Sequence, residues 1–155
     1  MPSGAPPPSI PPWLKHVLSR YKTDRMWNIN ANIVMADLLS TSATAMVIGV
    51  IYAKLPTAFA IVAATAIIDG AISLAAFALL HTWLNRERGV RDLARLQMHR
   101  WFLSPLHYLI GIGIQFGLLA AGVSPGVGVL IAYGSALAVV RTVHTFYGKK
   151  SGLFQ

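Results

Sequence analysis

Residues 32–83 read NIVMADLLSTSATAMVIGVIYAKLPTAFAIVAATAIIDGAISLAAFALLHTW, and Asp37, Lys54 and Asp69 are the only acids, lysines or arginines among them. The stretch breaks once, at Lys54-Leu55-Pro56-Thr57, and each half is long enough to cross a hydrocarbon core, which needs ~20 helical residues for about 30 Å. A turn this short makes the two halves an antiparallel hairpin. Working outward, four apolar spans emerge at roughly 26–53, 57–83, 104–122 and 125–147, the last two joined by the short turn at 122–125. The expected fold class is all-α: a polytopic membrane protein of four transmembrane helices in two antiparallel hairpins, with short interfacial amphipathic helices.

Composition agrees. Of 155 residues, 55% are hydrophobic and 12% charged, against about a quarter charged in a soluble domain whose surface faces water. Local signals mark the helix starts. Thr23-Asp24 reads as a cap for span one, and Ser104-Pro105 and Ser124-Pro125 each place a hydroxyl before a proline suited to the first helical position.

Twelve cationic residues, from Lys15, Arg20 and Lys22 through Arg86 and Arg95 to Lys149 and Lys150, lie on or near one side of these spans, and only Lys54 lies on the other. Basic flanks stay in the cytoplasm, so both termini and the loop 84–103 are expected there. Trp13, Trp27, Trp83 and Trp101 fall at that same interface, where amphipathic rings are enriched. The net charge of +8 is thereby accounted for without nucleic acid. The expected location is a bacterial inner membrane, with anionic lipid headgroups and other membrane subunits, or a second copy, as partners.

The organisation expected along the chain is a Pro-rich tail (1–11), an interfacial amphipathic segment (12–22), hairpin one (23–83), a basic amphipathic loop (84–103), hairpin two (104–148) and a short tail (149–155). In 12–22 the residues Trp13, Leu14, Val17, Leu18 and Tyr21 recur at helical spacing; in 86–102 Val90, Leu93, Ala94, Met98 and Trp101 do so beside basic residues. Such helices bind anionic headgroups, and Arg88, Arg91, Arg95 and Arg100 are the expected contacts. The endings of spans two and four are alike: His81-Thr82-Trp83 with Arg86 and Gly89, and His144-Thr145-Phe146 with Lys149 and Gly152. A duplicated hairpin would account for this.

Inside a membrane the informative residues are those that dislike hydrocarbon. An ionisable side chain near the bilayer centre costs at least ~2.5–3.5 kcal/mol, so it turns to the bundle interior and finds a partner. Asn30, Asp37, Thr41 and Thr44 share one face of span one, and Thr65, Asp69 and Ser73 one face of span two. Folding at 54–56 sets Asp37 level with Ser73 and Thr41 level with Asp69. These groups either hold the hairpin's register by hydrogen bonding or line an ion or substrate path together with Arg141. Arg141 itself could pair with Asp37 or snorkel to the headgroups.

His81, His107 and His144 each sit near the basic end of a span. They could ligate a haem or a chlorophyll-type pigment, although no metal-ligand spacing occurs and no resident metal or cofactor is expected. Gly113-x-x-x-Gly117 is a helix-packing motif for use within the bundle or against another subunit. No cysteine, phosphate loop or nucleophile elbow is present, so no catalytic residue is assigned. The expectation is a non-catalytic accessory or structural subunit of a larger membrane complex. The alternatives are a small transporter or lipid-linked-substrate flippase working as a homo-oligomer through Asp37 and Asp69, and a haem- or pigment-binding subunit.

Overall fold

The computed structural model describes residues 10–84 and 90–150, and at 90–92 the backbone only. The amino-terminal tail to residue 9, Arg86, Arg88, Gly89, the Arg91 side chain and 151–155 lie outside the described residues. The elements are α1 (Pro12–Thr23), α2 (Arg25–Ile51), α3 (Ala58–Leu84), α4 (Val90–Ala120) and α5 (Pro125–Lys150). A single 3-10 turn, Tyr52–Lys54, follows α2, and no strand occurs among the described residues.

Local chemistry sets the ends. Asp24 caps α2, its carboxylate accepting from Trp27 N–H at 3.1 Å. Thr57 does the same for α3, its hydroxyl accepting from Ala60 N–H at 3.1 Å. At the end of α4, Gly122 takes φ +77°. Val123 N–H then reaches Leu118 O at 2.9 Å and Gly122 N–H reaches Leu119 O at 3.0 Å, a Schellman closure that needs this left-handed residue. Pro125 opens α5 from its first position.

The bundle is polar inside and apolar outside. Met46 (74% exposed), Val50 (80%), Ile67 (72%) and Leu109 (72%) point outward, while Asn28, Asn32, Ser40, Thr44, Thr65, Asp69, Ser73 and Gln115 are buried. Water would invert that arrangement, and lipid selects it. Among the described residues, four helices are long and apolar enough to cross a membrane: Arg25–Lys54, Ala58–Leu84, Leu93–Ala120 and Pro125–Lys150. The chain is an all-α polytopic integral membrane protein.

Two apolar layers fill the interior. Ile29, Ile33, Ala36, Phe77 and Leu96 form the one nearer the chain termini. Ala45, Ile48, Val129, Ala132 and Tyr133 form the one nearer the α2–α3 turn. Between them lies a belt of charged side chains. The amphipathic α1 buries none of its residues and docks on α2 through Tyr21, whose hydroxyl donates to Asn32 Oδ1 at 2.6 Å. Its apolar face, with Trp13, Val17 and Leu18, stays exposed.

The third span differs from its expected form. The segment 90–103 is neither a loop nor a separate surface helix; it continues into the span as one 31-residue helix that passes through Pro105. Proline there removes one backbone bond, and the preceding Ser104 turns its hydroxyl back to Arg100 O at 2.9 Å instead of capping a new helix. The expected apolar stripe is split: Leu93 packs against the core, while Met98 (71% exposed) and Trp101 (64%) stay outside. Leu96 and Leu103 are buried. Leu93, Leu96, Arg100 and Leu103 make the inward face, so the register carries a cation into the interior.

Candidate functional site: a buried charge cluster

The two short-turn hairpins set side chains at matching depths. Asp37 lies twelve residues past the start of α2, about 18 Å along the helix at ~1.5 Å per residue. Ser73, eleven residues before the end of α3, lies level with it and donates its hydroxyl to Asp37 Oδ1 at 2.6 Å. Arg100 of α4 then adds Nη2, 2.9 Å from Asp37 Oδ1 and 2.7 Å from Ser73 Oγ. Its Nη1 donates to Gln97 Oε1 at 3.3 Å, and its guanidinium carbon lies 4.5 Å from the centre of the Phe77 ring. The Arg100 and Asp37 side chains are only 11% and 15% exposed.

Asp69 is one turn deeper on α3 and 3% exposed. The Ser40 hydroxyl lies 2.7 Å from its backbone oxygen and 2.8 Å from its Oδ1, one proton shared between two acceptors. Thr41, the residue expected opposite Asp69, is buried, 5% exposed. On the other side His107 Nε2 stands 3.9 Å from Asp69 Oδ2. The His107 ring meets Tyr108 and Tyr133 edge-on at 5.4 and 5.5 Å.

Arg141 closes the set from α5. It makes no direct pair with Asp37, and its partly buried side chain stays inside the bundle. Its Nη1 donates to Asn30 Oδ1 at 3.4 Å, and its buried Nε has no hydrogen-bond partner among the described residues. Asp37, Asp69, Arg100, His107 and Arg141, with Ser104, line a cavity of about 50 Å³. Two carboxyls and two guanidiniums therefore balance formally around a space fit for water or a proton.

Other expected sites fare differently. Arg95 is exposed. Arg100, expected at the membrane surface, is instead inside the bundle, because the unbroken α4 turns position 100 toward Asp37. His81 is fully buried and stacks on Phe77 at 5.4 Å, and His144 is 1% exposed. The described residues hold no group of three His, Asp or Glu able to bind a metal.

Gly113 and Gly117 do not pack the bundle, since a Cβ at either would meet nothing within 4 Å. Close approach occurs elsewhere. A Cβ at Gly126 would lie 2.9 Å from Ala45 O, and one at Gly111 would lie 3.3 Å from the Tyr133 ring.

Sequence reasoning missed Ser40 and Gln115. Gln115 is fully buried and donates from Nε2 to Thr65 Oγ1 at 3.0 Å, tying α4 to α3. A lone glutamine inside an apolar span was the available signal. No family model, curated protein or solved structure matches this chain, so the functional reading rests on the site's own chemistry.

Proposed function

We propose that the chain is a small proton-coupled membrane transporter in which the Asp37–Arg100 and Asp69–His107 groups are the working parts. The observation that carries this reading is their convergence on one cavity between four apolar helices. Each ionised side chain costs at least ~2.5–3.5 kcal/mol at such depth, and hydroxyl or amide pairs would hold the helices together without that cost. The imidazole beside Asp69 provides a second proton carrier one short step from the first. The excess of Lys and Arg at the end of the bundle holding the chain termini supports a cytoplasmic placement of that end. With no native cysteine, Lys54→Cys should take an impermeant maleimide from outside intact cells, and Lys149→Cys only after permeabilisation.

The direct test reconstitutes the protein into liposomes loaded with a pH-sensitive dye and imposes a proton gradient. Wild-type protein should raise proton flux well above that of empty vesicles, and Asp69→Asn should abolish the increase while the helical circular dichroism is unchanged. Full flux in both Asp37→Asn and Asp69→Asn would overturn the reading and leave the acids as structural groups.

A second reading, an accessory subunit of a larger membrane complex, is favoured by the outer face of α4. There Gly113, Phe116 and Gly117 are exposed with no neighbour at either glycine, and small-residue faces of this kind admit a second helix. Co-purification with a defined larger assembly in mild detergent supports it, and a lone stable protomer opposes it.

A further inference from the structure

We propose that the seam between α3 and α4 binds an anionic phospholipid, entering sideways from the bilayer and setting its phosphate on Arg100. The site goes beyond the transport reading and stands without it.

The seam holds a groove of about 350 Å³. Its rim faces the apolar exterior: Ala71 and Trp101 are exposed, on α3 and α4 respectively. A ligand therefore reaches it from among lipid tails, and a soluble anion would have to cross them. The floor is polar. Arg100, Ser73, Ser104 and Tyr108 form the common wall of the groove and the inner cavity, while Asp37 and Asp69 line only the cavity. No acidic side chain lines the groove and Arg100 is its one cation; Asp37, 2.9 Å away on the cavity side, offsets that charge in part, and an anion remains the ion the groove suits.

The guanidinium has five N–H donors in a planar fork. The bonds to Asp37, Ser73 and Gln97 engage both Nη atoms and leave Nε–H and one Nη1 hydrogen as charge-assisted donors for a phosphate. Tyr108 adds a hydroxyl that rests against the bare backbone of Gly70; a Cβ there would come within 2.7 Å of it.

Depth distinguishes this site from ordinary boundary lipid. Arg100 is level with Ser73, about 16 Å along α3 from its last residue at ~1.5 Å per residue, so the bound headgroup lies below the interface. The surrounding bilayer carries its own headgroups higher, which makes the groove a place where a lipid is drawn inward.

Native mass spectrometry of the purified protein, titrated with equal amounts of phosphatidylglycerol and phosphatidylcholine, tests this. Both headgroups carry a phosphate, but choline's own cation cancels its charge in phosphatidylcholine, so phosphatidylglycerol should be retained in preference by about tenfold, roughly 1.4 kcal/mol. Arg100→Gln should remove the preference. Ala71→Trp, whose side chain starts on the exposed rim and fills the groove, should lower retention of both lipids. Excess glycerol phosphate should displace neither.

Equal retention of the two lipids by wild-type protein would overturn the proposal, as would a preference surviving Arg100→Gln or displacement by glycerol phosphate. If Arg100→Gln does not fold, undiminished phosphatidylglycerol retention by folded Ala71→Trp overturns it instead. Protein that prefers phosphatidylglycerol yet passes no protons refutes the transport reading alone, and the reverse result refutes this site alone.

Discussion

The α2–α3 seam and the α3–α4 seam share a helix and close in different ways. Between α2 and α3, two hydroxyls meet two carboxyls, Ser73 on Asp37 and Ser40 on Asp69, and the helices lie together along their length. Between α3 and α4 the contact is sparser. It depends on Arg100 reaching Ser73, on Gln115 reaching Thr65, and on Gln97 reaching Leu74 O at 3.4 Å, with a groove left open. Lipid tails are as apolar as leucine, so apolar side chains give little reason for one seam to close over another. The placement of polar groups decides it.

The largest effect should come from Asp37→Leu. That change takes the acceptor from Ser73 and the counter-ion from Arg100, and an uncompensated buried charge costs about 3–5 kcal/mol. Unfolding in mixed detergent micelles measures it. Loss of less than about 1 kcal/mol would mean that the cluster is hydrated and the seams independent of it.

The next effect sharpens the contrast from a third seam, that of α2 with α5. Gly126→Ala pushes a methyl against the Ala45 carbonyl, which cannot yield without moving a helix, and should cost about 1–3 kcal/mol. Gly113→Ala and Gly117→Ala should stay within about 0.5 kcal/mol of wild type in the same assay. Equal losses at all three would place Gly113 and Gly117 in an interface with another copy or subunit.

Smaller still is the difference between the two seams' polar ties. Ser40→Ala should lose about 0.6–1.7 kcal/mol, the range for hydrogen bonds between membrane helices. Gln97→Ala, removing two long bonds at the edge of the groove, one given to Leu74 O and one accepted from Arg100, should fall below that. The opposite order would mean that the groove seam is the tighter one.

Much of this was legible beforehand, for a physical reason. A tight turn at 54–56 makes depth countable on both arms, so Asp37 opposite Ser73 follows from residue numbers alone. Counting fails across the link between α3 and α4, where depth on one hairpin says nothing of the other. In sequence Pro105 resembles a first helical residue and so sets Arg100 at the surface, yet a helix can carry a proline when neighbouring groups satisfy the freed carbonyls. The glycines show the same limit. The Gly113-x-x-x-Gly117 spacing was visible, but close approach depends on which face turns inward, and the tight contacts fell at Gly126 and Gly111 instead.

Arg100 and Asp37 act as one buried pair at the centre of the bundle. A double-mutant cycle of Asp37→Leu, Arg100→Leu and the two together, read by unfolding in mixed micelles, measures this directly. The double variant should lose clearly less stability than the two single losses added, with a coupling above about 1.5 kcal/mol; losses that add to within about 0.5 kcal/mol would contradict it.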